Sequence, residues 1–187
     1  MSAYPREELE EMARRWIEAN DKAESLGDWT ILAEFYTEDA EYGWNLGHKY
    51  DFLAIGRDRI REWALGNEQD GLQGWRYPFE RYVIDEEKGE IVFFWKQVAP
   101  GKRPDGTSYE FAGVGGSYCR YGGNFKWCWM RDFFDTANMT ACLREVDEAG
   151  LLSEGMRKRI GEGSRRPGWN KRQPGAGGGI AGLHRGG

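Results

Sequence analysis

The sequence predicts an α+β domain: three N-terminal helices, then a strongly curved antiparallel sheet, then a C-terminal helix and tail. Three observations carry that expectation. Apolar residues between Leu9 and Ala23, and again at Ile60, Trp63 and Ala64, recur at three- and four-residue steps. From Trp75 to Phe134 the pattern changes to strand-length runs divided by turn sequences. Gly113, Gly115 and Gly116 fall inside one of those runs, where glycine marks a bend or a close approach to the backbone.

The first helix places Leu9, Met12, Ala13, Trp16, Ile17, Asn20 and Ala23 on one stripe, with Pro5 suited to its first turn and Gly27 to its end. Asp28 reads as the N-cap of a short second helix over 29–36, because its carboxylate can accept from free first-turn amides. A strand over 40–46 and a loop holding His48, Lys49 and Tyr50 follow. A third helix over 56–65 is stopped by Gly66 and Asn67. The sheet is expected as a meander of strands over 77–84, 90–98, 109–121 and 125–134. Asp135 or Thr136 opens a helix reaching Ala149, and Ser153 a shorter one reaching Ile160.

A chain of 187 residues without internal repeats suits one domain, expected over 1–153, with 154–187 as a basic, Gly-rich extension. Eight Lys or Arg against two Glu give that extension +6, so the −5 of the whole chain leaves −11 for residues 1–153. The acidic body argues against a surface that tracks phosphates, so no nucleic-acid partner is expected despite the basic pairs near Trp169. The opening MSAYPREELEEM has no apolar signal region, and no run approaches the roughly 20 apolar residues of a membrane span. A cytoplasmic protein without a membrane partner is the expectation. Cys119, Cys128 and Cys142 have no metal-ligand spacing and cannot all pair, which fits free thiols in a reducing compartment. Rings such as Trp127 and Trp129 on a convex sheet face would favour a homo-oligomer, dimer or trimer.

Three stretches resemble the nuclear transport factor two-like superfamily, which includes the SnoaL-like, limonene epoxide hydrolase and ketosteroid isomerase groups. GDWTILAEFYTEDAEY (27–42) is similar to its helix-to-first-strand segment, IGRDRIREW (55–63) to its third helix, and WMRDFFD (129–135) to the end of its last strand. The resemblance covers residues 8–140 and implies a cone-shaped curved antiparallel sheet wrapped on the three helices. One such fold hosts cyclases, isomerases, dehydratases, epoxide hydrolases and binding modules, so it does not choose among them.

Tyr42 and Asp132 match the first-strand tyrosine and last-strand aspartate that face the cone interior in the limonene epoxide hydrolases. Where those enzymes carry an Arg-x-Asp pair on a middle strand, this chain has Trp95, Lys96 and Gln97. Against the ketosteroid isomerases, Asn20 stands in place of a phenolic donor and Trp44 in place of the basic aspartate. Dehydratases with paired histidines match poorly, since His48 and His184 are the only histidines.

An aspartate in an aromatic cone has its ionised form disfavoured by desolvation, which makes Asp132 the first candidate for a general acid or base. The plainer alternative is that Asp132 orders the last turn or pairs with Arg76 or Arg120. Tyr42 could donate to a substrate oxygen, and Asn20 could meet a substrate hydroxyl or a backbone carbonyl. His48 is placed to move a proton at the pocket mouth. Lys96 would stabilise a phenolate if it faces inward, but the parity of strand 90–98 is not fixed by the pattern. Trp44, Tyr118, Met130, Phe134, Trp95 and Gln97 are the expected substrate-binding walls.

No nucleotide fingerprint or clustered metal ligand appears, so no cofactor and no metal are expected. The expected function is a cofactor-free acid/base lyase that eliminates water, and with it formaldehyde, from a phenolic or diaryl compound. That reading follows a resemblance in overall character to superfamily lyases that act on lignin-derived diarylpropane diols. An isomerase, dehydratase or epoxide hydrolase for a polycyclic substrate, or a non-catalytic module for aromatic ligands, remain alternatives.

Overall fold

A computed structural model describes residues 4–44, 51–111 and 114–169. The apolar stripe of the first segment becomes helix α1 (Arg6–Leu26), which buries Leu9, Met12, Ala13, Trp16, Asn20 and Ala23 and ends at Gly27. Asp28 accepts from the Thr30 amide and opens Trp29–Phe35. The expected short helix winds as a 3₁₀ helix, tighter than an α-helix. Strand β1 (Tyr36–Trp44) begins four residues earlier than expected. Helix α2 (Arg57–Arg59) runs on as a π-helix, Ile60–Asn67, burying Ile60, Ala64 and Leu65.

The expected loop after the first strand contains a strand, β2 (Phe52–Ile55), antiparallel to β1 with Trp44 opposite Phe52. Gly43 is what permits the pairing: a Cβ there would lie 2.2 Å from the Phe52 carbonyl oxygen. The remaining strands are β3 (Phe79–Asp85), β4 (Glu90–Trp95), β5 (Val98–Lys102), β6 (Ser108–Glu110), β7 (Gly115–Tyr121) and β8 (Trp127–Phe134). The expected strand 90–98 ends at Trp95, with β5 opening at Val98 and running into the expected turn, and the expected strand 109–121 is divided between β6 and β7. The main sheet has the order β2-β1-β8-β7-β4-β3, while β5 and β6 form a separate ladder. The sheet is largely antiparallel, but β1 and β8 pair parallel, which corrects the pure meander. Gly116 marks a close approach, since a Cβ there would meet the Phe93 carbonyl oxygen at 2.4 Å.

The β7–β8 hairpin carries a bulge. Tyr121 stands opposite Trp127, yet Arg120 stands opposite Trp129, so Cys128 is an extra residue. An extra residue reverses which face each side chain takes. Trp127 consequently lies in the core, fully buried, its ring edge-on to Trp16 and Phe93 at 6.0 Å in each case. This corrects its expected place on the convex face. Trp129 does face outward, with the Arg120 and Arg131 guanidinium groups 5.2 and 4.8 Å from its ring.

Asp135 accepts from the Ala137 and Asn138 amides and opens α3 (Thr136–Glu148), and Ser153 caps α4 (Glu154–Glu162). Both helices join a second, smaller core around Leu72, Trp75, Ala99, Tyr109, Cys142, Val146 and Met156. Ser153 Oγ also donates to the Gly71 carbonyl at 2.7 Å, which fixes the start of α4 beside the end of the π-helix. Past α4 the chain returns to the sheet edge. The Leu53 amide donates to the Gly168 carbonyl at 3.0 Å, and Trp169 packs edge-on against Phe52. The cysteines are free thiols. No described helix is long and apolar enough to cross a membrane.

Gly43→Val inserts side-chain atoms where the Phe52 carbonyl sits. It should lower unfolding free energy by about 2 kcal/mol or more, on the scale of overpacked cores. Urea unfolding followed by tryptophan fluorescence measures this, and unchanged stability would contradict the β1–β2 pairing.

Candidate active site

Above the bulge, alternation along β8 turns Met130, Asp132 and Phe134 to the concave side and Arg131 and Phe133 to the other. Parallel pairing with β1 brings Tyr42 beside Met130 and Trp44 beside Asp132, while β7 brings Ser117 opposite Asp132. Both carboxylate oxygens are thereby engaged. Tyr42 Oη donates to Asp132 Oδ2 at 2.6 Å, and Ser117 Oγ donates to Oδ1 at 2.6 Å. Trp95 Nε1 donates to Ser117 Oγ at 2.9 Å, so the hydroxyl is itself held. Asp132 pairs with neither Arg76 nor Arg120; the latter bonds Glu90 at 3.2 Å.

Asp132 keeps part of its surface toward a cavity but is enclosed by protein on its other sides. Burial pushes its carboxyl up to about 6, against the pull of the Ser117 and Tyr42 hydrogen bonds and the nearby Arg131 charge. The Tyr42 phenol is driven well above its ordinary range by burial and then by the Asp132 charge, so it remains a proton donor to the carboxylate. Burial likewise raises the Cys119 thiol, which leaves it protonated.

Two connected chambers meet at this carboxyl. The inner one, about 70 Å³, is lined by Asn20, Tyr36, Met130 and Ser117 among others. The outer one, about 390 Å³, has Trp44, Phe134, Gln97, Met139, Leu143 and Trp169 in its walls. Tyr42, Gln69, Tyr77, Trp95 and Asp132 line both. Trp44 is braced by Phe52, stacked with ring centroids 3.9 Å apart. Gln97 Nε2 donates to Tyr77 Oη at 2.7 Å. Asn20 Nδ2 donates to the Trp16 carbonyl at 2.7 Å, which uses its amide within the helix. Gln69 Oε1 is buried with no hydrogen-bond partner among the described residues, leaving an acceptor at the cavity.

The structure thus gathers Asp132, Tyr42, Asn20, Trp44, Met130, Phe134, Trp95 and Gln97 around one space. Lys96 and Tyr118 are corrections, since both leave the cavity. Lys96 Nζ lies 3.5 Å from Glu80 and 3.5 Å from Glu110. Those carboxylates, Glu110 foremost, raise its pKa and hold it charged in solvent. Tyr118 bonds Glu90 at 2.5 Å and sits edge-on to Trp129 on the convex face. Alternation along β7 turns Ser117, Cys119 and Tyr121 inward and Tyr118 outward, opposite Arg131. His48 lies outside the described residues, as does His184.

Sequence reasoning missed Ser117, Tyr77, Gln69 and three further groups of the outer chamber, Glu68, Arg159 and Trp169. Ser117 was recoverable from the alternation of buried residues along β7. The other three gave a weaker signal, because they come from a helix end and a segment read as tail. Among the described residues no group of three or more His, Cys, Asp and Glu side chains is gathered to hold a metal ion.

The native carboxyl holds its proton to about pH 6, whereas an unfolded aspartate releases it at about pH 4. Across that window the native state binds more protons, so this group's contribution to stability falls as pH rises. Asp132→Asn removes that loss. Its unfolding free energy relative to wild type should climb between pH 4 and 6 and level off above, a rise of about 1–3 kcal/mol. Urea titrations at a series of pH values measure it, and a difference independent of pH would contradict the raised pKa.

No family model and no curated protein sequence matches the chain. Solved structures do resemble it. An NTF2-like protein from Anabaena variabilis ATCC 29413 is 19% identical with a TM-score of 0.53, over 72% of this chain and 95% of that one. A SnoaL-like polyketide cyclase structure from Jannaschia sp. CCS1 is 11% identical with a TM-score of 0.54, over 72% and 90%. An LEH-like epoxide hydrolase from M. tuberculosis is 18% identical with a TM-score of 0.53, over 75% and 96%. At these identities the likeness is one of fold, and it coincides with the helix order and curved sheet built above. The chain has the NTF2-like α+β cone fold.

Proposed function

We propose that the cavity is the active site of a cofactor-independent acid/base enzyme for a bulky aromatic compound, with Asp132 as the proton-transferring group. The observation that supports this most is the placement of one enclosed carboxyl, poised near 6 and held by two hydroxyl donors, in a cavity walled by aromatic rings. A general acid or base works best when its pKa lies near the operating pH. The aromatic walls supply orientation, which converts an encounter into a near-unimolecular step.

In its finer form, the reading is a lyase acting on a phenolic diarylpropane diol. Protonated Asp132 gives its proton to the benzylic hydroxyl, the C–O bond breaks, and water leaves. The benzylic cation is delocalised into the para-phenol. The Asp132 carboxylate then takes the proton of the primary hydroxyl as the adjacent C–C bond breaks. Formaldehyde departs, the bond's electron pair forms the stilbene double bond, and Asp132 is again protonated. Tyr42 and Ser117, with Trp95 behind Ser117, hold the carboxyl throughout.

Purified protein incubated with such a diol and no added cofactor should produce stilbene absorbance and one equivalent of trapped formaldehyde. Asp132→Asn should lower turnover by at least about 10²-fold, the usual weight of a general acid or base. Because the protonated form starts the cycle, kcat/KM should fall as pH rises above about 6. Saturable binding without turnover, in wild type as in the variant, would overturn catalysis on this substrate and move the reading to a binding module.

A further inference from the structure

The outer chamber holds a cation without an acidic partner at ion-pair distance. Arg159, on α4, lines it together with Arg166, Glu68 and Trp169. One oxygen of the Glu68 carboxylate is taken: Arg166 Nη1 lies 2.5 Å from Oε1, and Trp169 Nε1 donates to the same oxygen at 2.9 Å. Arg159 has instead the Glu68 main-chain carbonyl, to which its Nη1 donates. Among the described residues no carboxylate comes within ion-pair distance of its guanidinium. The rest of the chain, residues 1–3, 45–50, 112–113 and 170–187, contains no Asp or Glu to supply one.

In the wall of the largely apolar outer chamber, two guanidinium groups stand around the one Glu68 carboxylate, with Asp70 nearby but outside that wall. Burial depresses the Arg159 pKa, and the Arg166 charge adds to this, against the opposing pull of Glu68, Tyr77 and Asp70. A guanidinium still uses only part of its five-donor fork when it holds one carbonyl. Such a group, desolvated and facing an aromatic-walled space, is matched by a planar monoanion that can accept two parallel N–H bonds.

We propose that Arg159 is the recognition point for a carboxylate on the ligand, so that the cavity takes an aromatic acid with its carboxylate against α4 and its rings along Trp44, Trp95 and Phe134. This rests on reading the cavity as a ligand site. It adds a substrate class and a specificity-determining residue to that reading. The carboxylate end lies at α4, and the end to be protonated lies at Asp132.

A matched pair of probes tests this without any turnover: 2-naphthoate and its neutral counterpart 2-naphthamide, titrated against the quenching of cavity tryptophan fluorescence. In the wild type, 2-naphthoate should bind at least about tenfold tighter than 2-naphthamide, the scale of one charge-assisted pair. Arg159→Gln, whose amide can still donate to the Glu68 carbonyl, should abolish that preference while leaving 2-naphthamide affinity within about twofold of the wild type. Arg159→Met is the second variant, and retained 2-naphthamide binding shows that its cavity is intact. Equal affinity of the two probes for the wild type, or a preference that survives in both variants, would overturn the role of Arg159 and leave the cavity reading standing. Binding of neither probe to the wild type would overturn both.

Discussion

The arrangement of the concave face depends on a single extra residue in the last strand. Below Cys128 the β7–β8 register pairs Tyr121 with Trp127; above it, Ser117 pairs with Asp132. Because side chains alternate along a strand, this one-residue offset decides which groups face the cone. It sends Trp127 into the core against Trp16 and Phe93, and it delivers Asp132 to the cavity beside Tyr42 and Ser117. It also puts Arg131 on the outer face, bonded to Glu41 at 3.1 Å, so the nearest cation in sequence does not neutralise the carboxyl directly.

The electrostatics follow from that placement. Desolvation raises the carboxyl, while two hydroxyl donors restrain the rise, and the balance leaves it near 6. The same burial keeps the Tyr42 phenol protonated, so it serves the carboxylate as a donor and does not compete as a base. Elsewhere in the wall of the outer chamber the sign is opposite, with Arg159 and Arg166 outnumbering Glu68. On the proposed reading, a largely apolar cavity walled by a carboxyl and a cation would orient an asymmetric ligand in one direction.

Much of this was legible in the sequence because local signals and the tertiary structure agree. The stripe of α1, the Asp28, Asp135 and Ser153 caps, and the helical pattern ending at Asn67 all follow from short-range rules. Asp132 and Tyr42 were legible through a resemblance in strand order. What was not legible depended on register and on long-range contact. Trp127 was misplaced because the bulge leaves no turn residue to announce it, and Tyr118 because the parity of β7 follows from which of its residues are buried. Lys96 could not be assigned a face, because the strand that carries it breaks after Trp95. Strand β2 was hidden behind a short loop sequence, although Gly43 marks where its backbone approaches. Glu68, Arg159 and Trp169 meet across 101 positions of sequence, and no periodicity records such a meeting.

The most direct test of the account is the titration of the Asp132 carboxyl itself, by carboxyl-carbon NMR of labelled protein with Asp132→Asn used to assign the resonance. A midpoint near 6 would establish a desolvated carboxyl balanced by its two hydroxyl donors. A midpoint at about 4, the ordinary value of an aspartate in water, would contradict the enclosed site and remove the physical basis for its acid/base role.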